Sequence, residues 1–354
     1  MVVAQSNTNE LYGRAQTFIR SGDYANAIII LKRALEIQPA SALYRQALAY
    51  AYSLNRNYGE AEKLIKTVLR SNAANVQTYQ IAGNIYRAEN DLKSAERNFK
   101  KGRKQFPESG VLCSELGQVY YDQREYTKAL QSWTEGIQID PDYAPNYYFA
   151  ARTYYYSQDK FWTLIYGEIF INLERYTNRT SDMKKMLLET YKAVINSSIT
   201  VALTAPPARD ETEAASTGDS DGFSTLDKPP FRKAVLSTLG KSAETIINKG
   251  VTPETLIMTR IKFLLNWDQF YKLVYPYALF DFHRDLLHQG LFEAYNQWIF
   301  GPADNPAVYK GWVQRNEKTM QRLIDYLNNH ALQPRATQFY QQGSVEFIPA
   351  ALRP

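Results

Sequence analysis

Asp281, His283, Asp285 and His288, close together in the chain, are the nearest this sequence comes to a set that could hold a metal ion or move a proton. Metal-binding histidines on one helix sit three or four residues apart, because that spacing returns to the same face. His283 and His288 are five apart and so fall on different faces. Asp281, Asp285 and His288 can share a face, but nothing nearby supplies a further ligand. The group is therefore read as exposed charges flanking Phe282 and Leu286. Cys113 is the only cysteine, so the chain can form neither an internal disulfide nor a cysteine-based zinc or iron–sulfur site. No glycine-rich phosphate loop, nucleophile elbow or zinc-protease motif occurs. Trp267, Tyr271, Tyr275 and Phe280 read as core rather than a cofactor box, since aromatics dominate buried seams. No catalytic residue, metal or cofactor is expected. A C-terminal unit that modifies a substrate is the less favoured alternative.

The bulk properties agree with a folded protein of about two units. The chain has 354 residues, 45% of them hydrophobic and 22% charged, which is ordinary for globular domains. Lys and Arg number 41 against 36 Asp and Glu, with no dense basic block. Nucleic-acid binding needs a concentrated basic stripe, so nucleic acid is not an expected partner. No apolar run reaches the length of a membrane span.

Periodicity supplies the architecture. Ala27, Ala61, Ala95 and Ala129 recur every 34 residues. Phe18, Tyr52, Tyr86, Tyr120 and Tyr154 keep the same interval, as do Tyr24, Tyr58, Leu92 and Tyr126. Gly83 returns as Gly117 and Pro107 as Pro141, with Pro39 in phase. The third copy runs Tyr79, Ala82, Gly83, Tyr86, Ala95, Phe99, Pro107, and the fourth Cys113, Leu116, Gly117, Tyr120, Ala129, Trp133, Pro141. Over about residues 8–175 these columns resemble the tetratricopeptide repeat family. Cys113 departs from its pattern, standing where Trp is commonest. The resemblance implies paired antiparallel helices stacked in a right-handed α-α superhelix. Glycines and alanines allow close helix approach, tyrosines fill between hairpins, and prolines stop the second helices. A fifth copy fits at Tyr147, Ala150, Ala151 and Tyr154, but Thr163 replaces its small alanine. The helix expected around Phe161 to Leu173 and the one from Thr180 to Ile195 are read as a cap covering the end of the solenoid.

In such proteins the first helices line a concave groove that binds a peptide or another protein. By phase, the resemblance places Tyr12, Gln16, Gln46, Tyr50, Gln80, Asn84, Arg87, Ser114, Gln118, Tyr121, Tyr148, Arg152 and Tyr155 in that groove. Amides and tyrosines suit an extended peptide backbone. Co-chaperone members grip terminal carboxylates with lysine, asparagine and arginine. Tyr12, Gln46 and Gln80 stand where lysine is needed, so a chaperone-tail receptor is not expected.

The fold class expected is all-α, with a repeat solenoid over 8–200, a flexible linker over 201–230, a helical domain over 231–333 and an extended tail over 334–354. Ala205 to Pro230 is rich in Pro, Ser, Thr, Gly and Asp, too polar to bury a core. Thr252-Pro253 reads as a helix cap followed by proline at the first position. Pro276 interrupts the chain, Gly290 stops the next helix, Gly301-Pro302 ends the one after, and a last helix is expected from Trp312 to Leu327. Phe292-Glu293-Ala294-Tyr295-Asn296-Gln297-Trp298 resembles segments that follow such repeats in uncharacterised bacterial proteins, often exported ones. Met1 to Ser6 reads like the tail of a secretory signal without its apolar body. An exported, periplasmic protein is the expectation, with a cytoplasmic one as alternative. The functional expectation is a non-catalytic interaction scaffold, the alternative a structural component of a bacterial envelope assembly.

Overall fold

A computed structural model describes residues 2–204, 229–246, 249–341 and 347–349; side chains are described from Thr8 to Ser197 and, in the later segments, at every residue but Thr245. The protein is all-α, and among the described residues no β-strand forms beyond one isolated bridge, Ser157 to Pro349. Most of the expected linker, residues 205–228, lies outside the described residues, as does much of the tail. The chain divides into two compact units, Met1–Asp140 and Pro141–Pro354.

The first unit contains four helix pairs: α1 (Val2–Arg20) with α2 (Tyr24–Ile37), α3 (Ala42–Leu54) with α4 (Tyr58–Leu69), α5 (Val76–Ala88) with α6 (Leu92–Gln105), and α7 (Gly110–Asp122) with α8 (Tyr126–Ile139). The four column alanines, Ala27, Ala61, Ala95 and Ala129, are fully buried. Gly83 lies flush against Phe99: a Cβ there would meet the ring's Cζ at 2.1 Å. Gly117 does the same with Trp133, whose Nε1 would stand 2.3 Å from the added carbon. Small residues on first helices thus receive large residues from second helices.

Each hairpin turn repeats one device that residue type hides. Gly22, Arg56, Asn90 and Arg124, one per repeat, have φ of 79°, 62°, 60° and 63°. The following residue's N–H bonds back to the carbonyl of Phe18, Tyr52, Tyr86 or Tyr120 at 2.8–2.9 Å, a Schellman closure of the first helix. Asp23 and Asp91 then cap the second helices by accepting from Asn26 N and Ser94 N. Ser41, Asn75 and Ser109 cap the next first helices in the same way. Left-handed backbone disfavours any residue with a Cβ. Arg124→Gly is accordingly expected to stabilise the protein by about 0.5–1 kcal/mol, the part of that strain which glycine's own chain entropy leaves. The midpoint of urea unfolding measures it, and an unchanged midpoint counts against strain at this turn.

The second unit contains α9 (Ala144–Tyr155), α10 (Phe161–Leu173), α11 (Asn178–Thr204), α12 (Phe231–Ala243), α13 (Pro253–Phe270), α14 (Ala278–His288), α15 (Phe292–Asp304), α16 (Pro306–Arg315) and α17 (Glu317–Asn329). The division falls before α9, whereas the sequence reading carried the repeat unit on to residue 200. The reason lies in α10, which is buried from Phe161 through Asn172. A helix apolar on all sides is a core helix, and α10 is the centre of this unit. Thr163, the departure from the alanine column, is fully buried and donates its hydroxyl to Ala151 O at 3.1 Å.

Thr252 caps α13 as expected, in a capping box with Thr255 and with Pro253 in the first turn. Gly290, at φ 66°, follows the end of α14. Two expectations fail. Gly301-Pro302 does not end its helix, because α15 continues to Asp304. Proline's missing N–H leaves the carbonyl four residues back without its helical partner; here that carbonyl, Trp298 O, accepts from Lys184 Nζ at 2.8 Å. The single helix expected from Trp312 to Leu327 is two, α16 and α17, separated at Asn316. Asn305 starts the first of them, accepting from Ala307 N and Val308 N ahead of Pro306. In the tail, 336–338 form a short 3-10 turn, and Gln158 N bonds Ile348 O at 2.9 Å.

Candidate functional site

In the first unit the expected groove residues lie on α1, α3, α5 and α7, and several are spent on joining one hairpin to the next. Gln46 is 5% exposed; it accepts from Thr78 Oγ1 at 2.6 Å and donates to Gln77 Oε1 at 2.8 Å. Gln80 donates to Glu115 Oε1 at 2.7 Å. Arg87 donates to Asp122 Oδ2 through Nη2 (2.8 Å) and Nε (3.1 Å). It also stands 3.7 Å from the buried Glu115. Burial pushes the Glu115 pKa up, with Gln80 and Arg87 pulling against it. Gln118 bridges Arg87 and Glu115 at 3.5 Å to each. These bonds are rungs between neighbouring first helices, each joining residues about one repeat apart in sequence.

The remaining positions differ in kind. Ser114 is buried and its carbonyl accepts from Trp133 Nε1 at 3.1 Å, so it belongs to the core. Tyr12 packs on Tyr44 at 5.8 Å between ring centroids, and Tyr121 on Tyr126 at 5.2 Å. Gln16 is half-buried, while Tyr50 and Asn84 are exposed. In the second unit Tyr148 is covered by the Arg179 guanidinium, 5.0 Å from its ring, and Tyr155 donates to Glu189. Arg179 and Glu189 belong to α11, which therefore packs over α9 at Tyr148 and Tyr155; Arg152 on the same helix is half-buried. The acidic partners Glu115 and Asp122 were not anticipated. Each lies 35 residues beyond the residue it holds, which is the signal that could have found them.

The histidine-bearing stretch takes a different form from the one expected. Asp281 pairs with Arg284, and Asp285 and His288 are exposed. His283, expected at the surface, is 4% exposed. Its Nε2 lies 2.8 Å from Glu168 Oε1 and 3.1 Å from Arg260 Nη2. Glu168 also pairs with Arg260 and accepts from Tyr295 Oη at 3.0 Å, while Arg260 donates to Asn296 Oδ1 at 2.7 Å. Burial alone would raise the Glu168 pKa, but Arg260 and His283 outweigh it and hold the carboxyl at about 2. Burial pushes the His283 pKa down, so the imidazole is neutral near pH 7 and Arg260 supplies the balancing charge. A cavity of about 30 Å³ adjoins the cluster, lined also by Tyr191 and apolar residues such as Leu164, Phe263 and Phe280. That is room for one or two waters. The cluster ties α10, α13, α14 and α15 together. Among the described residues, no three His, Cys, Asp or Glu side chains converge as a metal-binding set.

Two further groups are structural. Lys184, 9% exposed, rests over the Trp298 ring at 3.4 Å; burial lowers its pKa to about 7. Trp267 and Phe280 are buried as expected, with Tyr271 and Tyr275 half-buried around them. One basic run the composition did not flag, Lys100, Lys101, Arg103 and Lys104, lies on α6, where Lys100 pairs with Glu96 and Arg103 with Glu135.

The first unit is thus a stack of helical hairpins bonded to one another through their first helices. The family comparison finds the tetratricopeptide repeat in this unit: residues 18–82 and 111–143 match it. Such repeats serve in general as protein–protein interaction scaffolds. Among curated proteins, the chain is 25% identical to the human Protein O-mannosyl-transferase TMTC1 over 154 residues, 39% of this chain and 18% of that protein. It is 20% identical to Anaphase-promoting complex subunit 3 of Schizosaccharomyces pombe over 126 residues, 36% of this chain and 19% of that one. The chain thus spans less than a third of the length of these relatives. Among solved structures, it is similar to TTC0263, a thermophilic TPR protein of Thermus thermophilus, with 17% identity, a TM-score of 0.45, and coverage of 51% of this chain and 99% of that one. Pseudomonas aeruginosa PilF gives 14% identity, a TM-score of 0.46, and coverage of 58% and 95%. No described helix is long and apolar enough to cross a membrane.

Proposed function

We propose that the chain is a non-catalytic adaptor and that the inner side of the first four hairpins grips a peptide or a segment of a partner protein. The observation that carries this reading is the ladder Gln46–Thr78, Gln80–Glu115 and Arg87–Asp122. It fixes the spacing of α3, α5 and α7 before any partner arrives, while Tyr50 and Asn84 stay exposed beside it. A preformed surface loses less conformational entropy on binding. The roles of the groove residues follow from that arrangement. Tyr50 offers flat apolar contact, Asn84 amide bonds to a backbone, and Arg87 a charge already aimed by Asp122. Gln46, Gln80 and Glu115 hold the frame.

A pull-down comparing the full chain with a Tyr50→Ala/Asn84→Ala variant, which leaves the three rungs in place, tests this. Loss of the main partner at an unchanged melting temperature supports the inner-side reading. The same set of partners recovered by both proteins would remove it.

A further inference from the structure

The positive charge of the chain is concentrated on one helix. Lys and Arg exceed Asp and Glu by five in the whole chain. Helix α6 alone carries the same excess, with six cations (Lys93, Arg97, Lys100, Lys101, Arg103 and Lys104) and one acid, Glu96. The equivalent second helices are close to neutral: α2 has two cations and one acid, α4 two and two, α8 one and one. The repeat accounts for the buried side of α6, formed by Ala95, Asn98, Phe99 and Gly102. It sets no requirement on the opposite side.

Lys93, Arg97, Lys101 and Lys104 are exposed, and among the described residues none of them pairs with an acid. Lys100 is held by Glu96, and Arg103 by Glu135 of α8. Asp91, at the start of the helix, caps it by accepting from Ser94 N at 3.0 Å. At 100° per residue, Lys93, Arg97 and Lys104 fall in one narrow sector opposite the buried residues, with Lys101 at its edge. Lys93 and Arg97 are four residues apart, as are Arg97 and Lys101. Like charges at that spacing weaken a helix, so the fold gains nothing from the row. A surface arrangement that lowers stability without serving packing points to binding.

The dimensions and surroundings of the row select its occupant. From Lys93 to Lys104 the helix rises about 16 Å, and the row is one helix wide. On the α8 side the charges balance, since Lys128 pairs with Glu125 and Glu135 takes Arg103. Exposed acids stand at both ends, Glu89 and Asp91 before the row and Glu108 after it. A nucleic-acid duplex or a lipid surface would cover those acids as well, and either needs a broader basic field. Single-stranded nucleic acid needs aromatic side chains on which to stack, and the one aromatic residue of α6, Phe99, is fully buried. A narrow row without exposed apolar neighbours fits a single acidic chain. Lys93, Arg97 and Lys101 succeed one another at a rise of about 6 Å. Alternate residues of an extended chain are about 6.6 Å apart, so their carboxylates match that interval.

We propose that the outer side of α6 docks an acidic segment of a partner protein, extended along the helix with carboxylates at alternate residues. These meet Lys93, Arg97 and Lys101 in turn. Arg97, steadied by donating to Ser94 Oγ at 2.9 Å, takes the central one. The site lies on a second helix, so it does not depend on what the first helices bind.

Fluorescence anisotropy of the full chain with a labelled peptide of alternating glutamate and serine tests it. The wild type is expected to bind, and to bind more weakly as salt is added. Arg97→Gln/Lys101→Gln is expected to weaken binding about tenfold, roughly threefold for each exposed ion pair lost. Its urea midpoint should not fall, because like-charge repulsion is removed with it. Lys63→Gln/Lys66→Gln on α4 removes as much charge, from cations paired within their own helix, and is expected to leave binding near that of wild type. Wild type that does not bind the peptide overturns the proposal. So does equal weakening by the two variants, since binding would then follow net charge alone. Tighter binding of oligothymidylate or of phosphatidylglycerol vesicles than of the peptide, lost in Arg97→Gln/Lys101→Gln, would also overturn it and assign the row to that anion.

Discussion

Replacing Glu168 with alanine is expected to destabilise the protein by about 3–5 kcal/mol, because it strands the buried Arg260 charge without its counter-ion. Arg260 is 3% exposed, and the other groups bonded to it are the uncharged Asn296 and the buried His283. Removing one partner of a buried pair costs far more than removing both. Glu168→Leu/Arg260→Met should therefore regain most of the loss, and urea unfolding of the three variants measures the difference. If the double replacement is as damaging as Glu168→Ala alone, the pair does more than balance charge. The same geometry fixes the pH response. With Glu168 held at about 2, against an ordinary 4.5, the unfolded chain takes up this proton first as the solution is acidified. Its stabilisation is present in full above about pH 4.5 and is lost as the pH falls to about 2. His283, pushed below its ordinary 6.5, adds a loss of the same sign at higher pH.

Gly83→Ala is expected to cost the repeat stack about 1–3 kcal/mol, a large effect for one methyl group. The added carbon would stand 2.1 Å from Phe99 Cζ and 2.5 Å from both Cε atoms, so the ring cannot avoid it by turning in place. Either α5 and α6 separate or Phe99 leaves its site. Phe99→Leu alone also destabilises, by leaving a void in a fully buried position. Combined with Gly83→Ala it removes the clash. The double variant should thus be more stable than the sum of the single losses implies, the signature of direct contact. Simple additivity in thermal or urea unfolding would mean that the glycine is not retained for this close approach. Gly117→Ala against Trp133 should behave alike.

The repeat was legible because its size pattern is carried by residue identity: alanine, glycine and the aromatics fall into phase by inspection. The turn pattern was not. Gly22, Arg56, Asn90 and Arg124 adopt one backbone state with three different residue types, so no column of letters reveals them. Asn305 before Pro306 is a helix start that could have been read, and overlooking it placed the start at Trp312, while the break at Asn316 between α16 and α17 carries no glycine or proline to mark it. Gly301-Pro302 looked like a stop because proline removes a backbone bond, and no local rule could supply Lys184, from α11, to satisfy the freed carbonyl. That the expected groove residues lie on first helices followed from phase alone, but their engagement by neighbours did not, since Glu115 and Asp122 act across one repeat. His283 was misread for a similar reason. Its partners, Glu168 and Arg260, are distant in sequence, and a local face analysis assigned it to solvent.

The solitary thiol gives the repeat unit a built-in reporter. Cys113 is fully buried, and burial pushes its pKa up to about 11, so a thiol-directed reagent reacts at neutral pH only after α7 has lifted away. With no second cysteine in the chain, the labelling rate times the opening of that hairpin without any engineered probe. A ligand that clamps the stack should announce itself by slowing the clock.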